Sequence, residues 1–309
     1  MIAMLIFSGL IFSGLAAVAV WLAGRRDAAL DPRLTTLCLV LVMVFPLLGV
    51  WLPKLALLPA ATVADASGKV GFAWLKLLWV LWVIGFVIAG LRLLLAQREV
   101  ARWRAHSMRV AVVAGVEIRE LTGLRGPVAA GVWRRVVFVP YVWHDWTAST
   151  RQMVLDHELT HHRRRDPLWR WVAELACAVN WFNPAVAWMA RRLSMQCEFA
   201  CDAAVLCNGV AVEDYARLLC DCAEQRVPRT PLLAMADCAT LESRVRRLVK
   251  PAVPVSTWVV ACLIAFTLAA AATLALLGPE KSPDLAPKEV FTPQEVETRW
   301  SANPFPGER

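Results

Sequence analysis

The chain has 309 residues, of which 58% are apolar, and it carries 33 basic and 25 acidic side chains for a net charge of +8. The apolar share exceeds the roughly 45–50% found in soluble globular proteins, which excludes disordered and collagen-like chains. The nine cysteines lie mostly in a segment that is predicted below to be cytoplasmic, where thiols stay reduced, so a disulfide-stabilised secreted domain is also excluded.

Four apolar stretches occur along the chain, each with the roughly 17–25 residues that a helix needs to cross a bilayer. We predict membrane spans over residues 1–24, 34–53, 70–91 and 252–278. The first stretch lacks the basic N-terminal region of a signal peptide, so we expect it to be retained as a span.

Basic residues flank the predicted spans on one side, as is typical of cytoplasmic loops. Their positions between the first two spans, after the third and before the fourth predict that residues 92–250 form a cytoplasmic domain and that both termini are extracytoplasmic. The proline-rich residues 279–309 are predicted to be a disordered tail. We therefore predict a multi-pass membrane protein. No nucleic-acid motif accompanies the charge, so the lipid bilayer is the expected partner and direct nucleic-acid binding is not expected.

The cytoplasmic domain begins with two predicted β-strands. Runs of β-branched residues predict strands over 110–114 and 132–139. The second strand is either an edge strand that could align an extended substrate or an interior strand of a small sheet.

Helices follow the strands, and three of them are introduced by helix-start signals. These signals are Ser149 with Gln152, Asp166 with Pro167, and Asn183 with Pro184. Gly209 is predicted to end the third helix. Two further helices are predicted over 213–224 and 241–249.

A metal-binding pattern, His157-Glu158-Leu159-Thr160-His161, lies in the first of these helices. Two imidazoles four residues apart project from the same helix face, so both can bind one ion. Glu158 is placed to take a proton from a water molecule at that ion. His162 points about 100° away from His161 around the helix and cannot join the pair. This spacing predicts a metallopeptidase site.

A catalytic zinc site requires a third protein ligand, for which the sequence offers two choices. Cys197 and Cys201 are four residues apart, but two thiolates with two histidines would close the site as a structural one. Glu198 would leave a position open, and Asp202 could accept the second ring N–H of a ligating histidine. We favour Glu198, although on their own these two carboxylates are typical of a helix surface.

Further segments complete a pattern that resembles the BlaR/MecR family of membrane zinc metallopeptidases, the β-lactam sensor-transducers and their relatives. The similar segments are 136–140, 157–161, 164–166, 181–184, 198–206, 214–219 and 241–245. The resemblance implies a multi-pass α-helical protein of the bacterial inner membrane with four spans and a cytoplasmic α+β domain of the gluzincin type. It also implies an endopeptidase acting in signal transduction, whose substrate is a cytoplasmic or membrane protein, either a transcriptional repressor or the chain itself.

The resemblance also implies the ligands of the metal site. One zinc ion is expected on His157, His161 and Glu198, with Glu158 as the general base and Asp202 supporting a ligating histidine.

Three other residues also have expected roles. Cys201 is expected to be a packing residue. Tyr215 and Arg244 are candidates for stabilising the transition-state oxyanion, or are packing and surface residues.

Two other functions are compatible with the sequence: a non-catalytic signalling scaffold with a structural zinc site, and a heat-shock-type quality-control protease. The intact Glu158 favours an enzyme. Only about 30 residues follow the last predicted span, against roughly 100 in a typical domain, and neither Ser282 nor Ser301 is followed by lysine at the third position. We therefore expect no penicillin-binding sensor domain. The oligomeric state is not determined, and a homodimer is one option.

Overall fold

The computed structural model of the chain describes residues 13–21, 32–51, 70–224 and 231–250, together with 10, 28–29, 55–58, 253–254, 265 and 277–279. The helices are α1 (13–21), α2 (Pro32–Trp51), α3 (Val70–His106), α4 (Ala148–Arg164), α5 (Asp166–Val179), α6 (Pro184–Cys207), α7 (Val212–Glu224) and α8 (Pro231–Val249). A 3₁₀ turn covers Tyr141–Asp145. Most of the predicted first and fourth spans, 1–24 and 252–278, and nearly all of the predicted tail, 279–309, lie outside the described residues.

Helix α3 is the longest helix of the described chain. Its segment Lys76–His106 is long and apolar enough to cross a membrane, and none of its most apolar stretch is buried in the protein. Among the described residues, no other helix meets both criteria. Helix α2 covers most of the predicted second span, and its residues 34–43 form a shorter apolar helix. The four-span arrangement stays a prediction.

The strands are β1 (Ala28–Ala29), β2 (Leu55–Leu58), β3 (Met108–Val113), β4 (Val116–Glu120), β5 (Val128–Ala130), β6 (Val136–Val139), β7 (Val253–Pro254) and β8 (Leu277–Pro279). Strands β1 and β2 pair in parallel with β7 and β8, respectively. The remaining four form one sheet in the order β3-β4-β6-β5, in which only the central β4–β6 pair is parallel. The prediction of helices with a small sheet is therefore confirmed.

Both predicted strands have different bounds in the structure, since β3 begins two residues before the predicted 110 and β6 begins four residues after the predicted 132. The strand predicted over 110–114 ends at Val113, because Ala114 and Gly115 adopt positive φ angles of 50° and 75° in the turn to β4. The strand predicted over 132–139 is reduced to β6, because a bend follows Gly131, whose φ is 85°. Strand β6 lies between β4 and β5, so it is an interior strand and offers no free edge.

Two helix starts differ from the prediction. Helix α4 is capped by Thr147, whose hydroxyl accepts from the Thr150 amide at 3.1 Å, rather than by Ser149. Arg165, at φ 62°, ends α4 and precedes α5, so Asp166 is the first residue of α5 and its side chain is free for another contact.

Other helix boundaries follow the predicted signals more closely. Asn183 caps α6 as predicted, accepting from the Ala185 amide at 3.0 Å. Helix α6 ends at Cys207, just before Gly209, which has a φ of 88°. Helix α8 begins at residue 231, ten residues before the predicted 241.

Helix α4 lies between the sheet and α6. Leu155 and Leu159 pack against a buried cluster that includes Val137 of β6. On the next turn His162 donates from Nε2 to the Val136 carbonyl at 3.0 Å, so its side chain is used for packing. This arrangement presents the opposite face of α4, with the other two histidines, to α6.

Candidate metal centre

Helices α4 and α6 bring three potential metal ligands together. The distance from His157 Nε2 to Glu198 Oε2 is 3.4 Å, and that from His161 Nε2 to Glu198 Oε1 is 3.6 Å. One ligand atom from each residue lies within 4.8 Å of the other two. Ligand atoms of a tetrahedral zinc ion are about 3.3–3.5 Å apart, given zinc–ligand bonds of about 2.0–2.1 Å. The three residues therefore fit a single small ion.

Two side chains, one from α6 and one from α7, hold the imidazole of His157. Its Nδ1 lies 2.9 Å from the Tyr215 hydroxyl and 3.3 Å from Asp202 Oδ1. The Tyr215 hydroxyl in turn donates to Asp202 Oδ1 at 2.8 Å. An imidazole that donates from Nδ1 keeps the Nε2 lone pair for a metal ion. These contacts place Asp202 where the sequence analysis predicted it, beside a histidine.

The imidazole of His161 is oriented in a similar way. Its Nδ1 lies 2.9 Å from Asp166 Oδ2 and 3.3 Å from the Cys201 thiol, both buried. Asp166, Cys201 and His161 form a second group that could hold a metal. It would use the opposite ring nitrogen of the same histidine. Burial and the nearby charge of Asp166 raise the pKa of Cys201 far above its usual range, which opposes the thiolate that a metal requires.

Glu198 is bracketed by two arginines. Its Oε1 accepts from Arg170 at 2.6 Å, and its Oε2 lies 3.2 Å from Arg244. Burial opposes ionisation of Glu198, but the His157 contact and the charges of His161 and Arg244 hold the pKa of its carboxyl well below the usual range. The carboxylate is therefore charged at every physiological pH.

The carboxylates make the centre favourable for a positive charge. Burial lowers the pKa of His157, but hydrogen bonds to Asp202 and Glu198 outweigh it and raise the pKa to about 9. Glu158, the next residue, is 7% exposed, and its charge contributes to the same shift. A cation between the two histidines and Glu198 would benefit from the same negative charges.

The two candidates for oxyanion stabilisation have other contacts in the structure. Tyr215 is 1% exposed and lies on the Nδ1 side of His157, away from its Nε2. Arg244 donates from Nε to Asp202 at 2.9 Å and also contacts Glu198. The geometry therefore favours a supporting role for both side chains.

Arg170 and Asp166 were not among the predicted site residues. Because Asp166 precedes a proline, the sequence analysis interpreted it as a helix cap. The contact of its carboxylate with His161 was therefore not predicted. Arg170 lies between two tryptophans on an apolar helix. An arginine between large apolar side chains needs a carboxylate partner, and this position was the one signal in the sequence that Arg170 belongs to the site.

Comparisons with known proteins show what the chain is similar to. Residues 60–250 match the family described as BlaR1 peptidase M56. A segment of 83 residues, 27% of the chain, is 34% identical to the regulatory protein BlaR1 of Bacillus licheniformis. That match covers 14% of the length of the Bacillus protein.

Proposed function

Because the chain belongs to the BlaR1 peptidase M56 family, we propose that it is a membrane zinc endopeptidase with its active site on the cytoplasmic side. The observation that carries this proposal is the approach of His157, His161 and Glu198, whose ligand atoms lie 3.4 and 3.6 Å apart across the two helices. Two imidazoles and one carboxylate, with a further position open, are a typical ligand set of catalytic zinc.

The residues around the centre each have a proposed task. Zinc, when bound by the three ligands, supplies Lewis-acid polarisation of the scissile carbonyl and acidifies water. Glu158 accepts the proton of the attacking water and delivers it to the nitrogen of the leaving amine. Tyr215 and Asp202 hold the tautomer of His157, and Asp166 holds that of His161.

The membrane placement is also part of the proposal. Helices α2 and α3 are proposed as the second and third of four spans, because they cover the predicted apolar stretches and α3 exposes its apolar surface. The arginines that follow residue 91 support a cytoplasmic location of the peptidase domain. The similarity to a regulatory protein supports cleavage of a signalling protein such as a transcriptional repressor, or of the chain itself.

Restoring metal to stripped protein tests the function without knowledge of the substrate. Membranes that contain the full chain are treated with a chelator, mixed with proteins of the host cell, and supplied with zinc or magnesium. New protein N-termini are then identified by chemical labelling and mass spectrometry. We expect new N-termini with zinc and none with magnesium, because imidazole ligands favour zinc. Membranes that lack the chain are the control, and cleavage that persists in chelator would contradict a metallopeptidase.

A substitution at Tyr215 tests the support of His157. Tyr215→Phe removes the hydroxyl that contacts His157 Nδ1 at 2.9 Å, while Asp202 remains 3.3 Å from the same nitrogen. We expect zinc affinity to fall by about 10-fold, at the lower end of the roughly 10–100-fold range for such partners. Tyr141→Phe, at the other tyrosine of the chain, is the matched control because that side chain is 66% exposed. Equal affinities in competition with a chromogenic chelator would contradict the assignment.

A further inference from the structure

The turn between α5 and α6 packs against the middle of the apolar helix α3. The indole N–H of Trp82 donates to the Val179 carbonyl at 3.1 Å, and that of Trp181 donates to the Trp82 carbonyl at 3.3 Å. The indole of Trp181 also lies over Gly85, where any Cβ atom would collide with its ring. These contacts fix the depth of the turn along α3.

Contacts with α3 and with α2 give two independent indications of how deep the turn lies in the membrane. On α3, Trp82 precedes Arg92 by ten residues, about 15 Å of helix, which is about half of a hydrocarbon core roughly 30 Å thick. On α2, Thr35 donates to Gln196 of α6 at 2.8 Å, near the metal centre. Seven residues further, about 10 Å along the axis, Val42 belongs to the same buried cluster as Val186 of α6. If α2 and α3 span the membrane, the turn lies well inside the bilayer.

The composition of the hairpin agrees with this depth. Residues 175–190 contain no charged side chain and no histidine, and Glu174 and Arg191 flank them on the two helices. At the turn, Trp181 is 47% exposed and Phe182 is 37% exposed. Exposed neighbouring aromatic side chains at the tip of an uncharged hairpin are costly in water and favourable in lipid.

Several polar groups of the turn, including both asparagines, are hydrogen-bonded within the protein. The backbone N–H of Asn180 donates to the Ala176 carbonyl at 3.0 Å, and the backbone N–H of Asn183 donates to the Asn180 carbonyl at 2.8 Å. The side chain of Asn183 accepts from the Ala185 amide at 3.0 Å and donates to the Ser13 hydroxyl at 2.7 Å. Non-helical backbone at membrane depth requires this internal pairing, because lipid offers no partner.

We propose that α5, the turn and the first half of α6 form a re-entrant hairpin whose tip, Trp181 and Phe182, contacts lipid acyl chains. This proposal rests on the proposed placement of α2 and α3 in the membrane. It has a consequence for the metal centre, since Glu198 follows Ala190 by eight residues, about 12 Å of the same helix. The hairpin therefore fixes the centre close to the cytoplasmic surface of the bilayer.

Photocrosslinking in the membrane tests the lipid contact. The photoreactive residue p-benzoylphenylalanine replaces Phe182, Ile84 or Tyr141 in the full chain, the membranes are irradiated, and phospholipid adducts are identified by mass spectrometry. Ile84, 50% exposed on α3 beside Gly85, reports whether the span itself meets lipid. Tyr141 is the control, because it is an exposed aromatic residue far from the hairpin. It precedes α4, and α4 contacts the C-terminal end of α6, opposite the turn, where Asn208 donates to Asp156 at 3.1 Å.

We expect phospholipid adducts at positions 84 and 182 and none at position 141. Adducts at 84 without any at 182 would overturn the hairpin proposal and leave the spanning α3 intact. Adducts at neither position would overturn the membrane placement itself. Crosslinks from 182 to protein alone would show that another segment or subunit covers the tip, and adducts at all three positions would show unspecific contact; either result overturns the proposal.

Discussion

Replacing Glu158 by glutamine should lower the rate of peptide-bond hydrolysis by about 10²–10⁴-fold, the usual contribution of a general base. Glutamine has the shape of glutamate but cannot accept the proton of the attacking water. Zinc content should be unchanged, because the three ligand atoms that approach each other belong to His157, His161 and Glu198. The rate is measured under single-turnover conditions with the protein that is cleaved fastest in the metal-restoration experiment, and the zinc content by elemental analysis.

The matched control for this substitution is Glu213→Gln, which removes a carboxylate from an exposed position on α7. Its rate and zinc content should both equal those of the unaltered chain. A Glu158→Gln protein that retains full activity would contradict the general-base role. A protein that is inactive because it has lost zinc would instead place Glu158 among the ligands.

The second large effect is expected at Glu198. Glu198→Gln replaces a charged oxygen ligand by a weaker neutral one and leaves Arg170 without the carboxylate that it contacts at 2.6 Å. Zinc affinity should fall by more than the roughly 10–100-fold typical of residues that only support a ligand. Titration with zinc in competition with a chelator measures the affinity, and thermal unfolding of the same samples checks that the domain is folded. Arg244 still has Asp202 as a partner, at 2.9 Å, which favours folding of the variant.

Glu242→Gln is the control for Glu198, because Glu242 also pairs with an arginine, Arg246, at 2.6 Å but is largely exposed on α8. The Glu242→Gln variant should bind zinc with the same affinity as the unaltered chain. If Glu198→Gln bound zinc with full affinity, the alternative group of His161, Asp166 and Cys201 would become the candidate site. In that case Cys201→Ala would remove the metal.

The local part of the metal centre was predictable because helix periodicity alone relates its residues. His157 and His161 share a face at a spacing of four, and their ring centroids lie 4.9 Å apart in the structure. Glu198 belongs to a different helix, so no local pattern could choose it over Cys201. That choice came from the argument that two thiolates would close the site and from the resemblance to a family, and the structure adds the distances.

Contacts between distant segments were not predictable from local patterns. The pairing of Arg170 with Glu198 links α5 to α6 across 28 residues. The start of α4 depends on similar competition, since Thr147 and Ser149 are both good capping residues and the side chain of Thr147 is the one that reaches the Thr150 amide.

The uncharged hairpin escaped detection for a different reason. Residues 175–190 include a turn, so neither arm has the roughly 17–25 apolar residues by which a spanning helix is detected. Its position became visible only through the contacts of Trp82 and Trp181. The strand predicted over 132–139 is too long because its first residues, 132–134, form the bend that follows Gly131.

Anomalous scattering at the zinc absorption edge, from crystals of the zinc-loaded full chain, tests the central claim most directly. The claim is that two imidazoles of α4 and one carboxylate of α6 hold a single ion. We expect one peak about 2.0–2.2 Å from Nε2 of His157, Nε2 of His161 and a carboxylate oxygen of Glu198. A peak bonded to Cys201 and Asp166 through Nδ1 of His161, or no peak between the two helices, would contradict the claim.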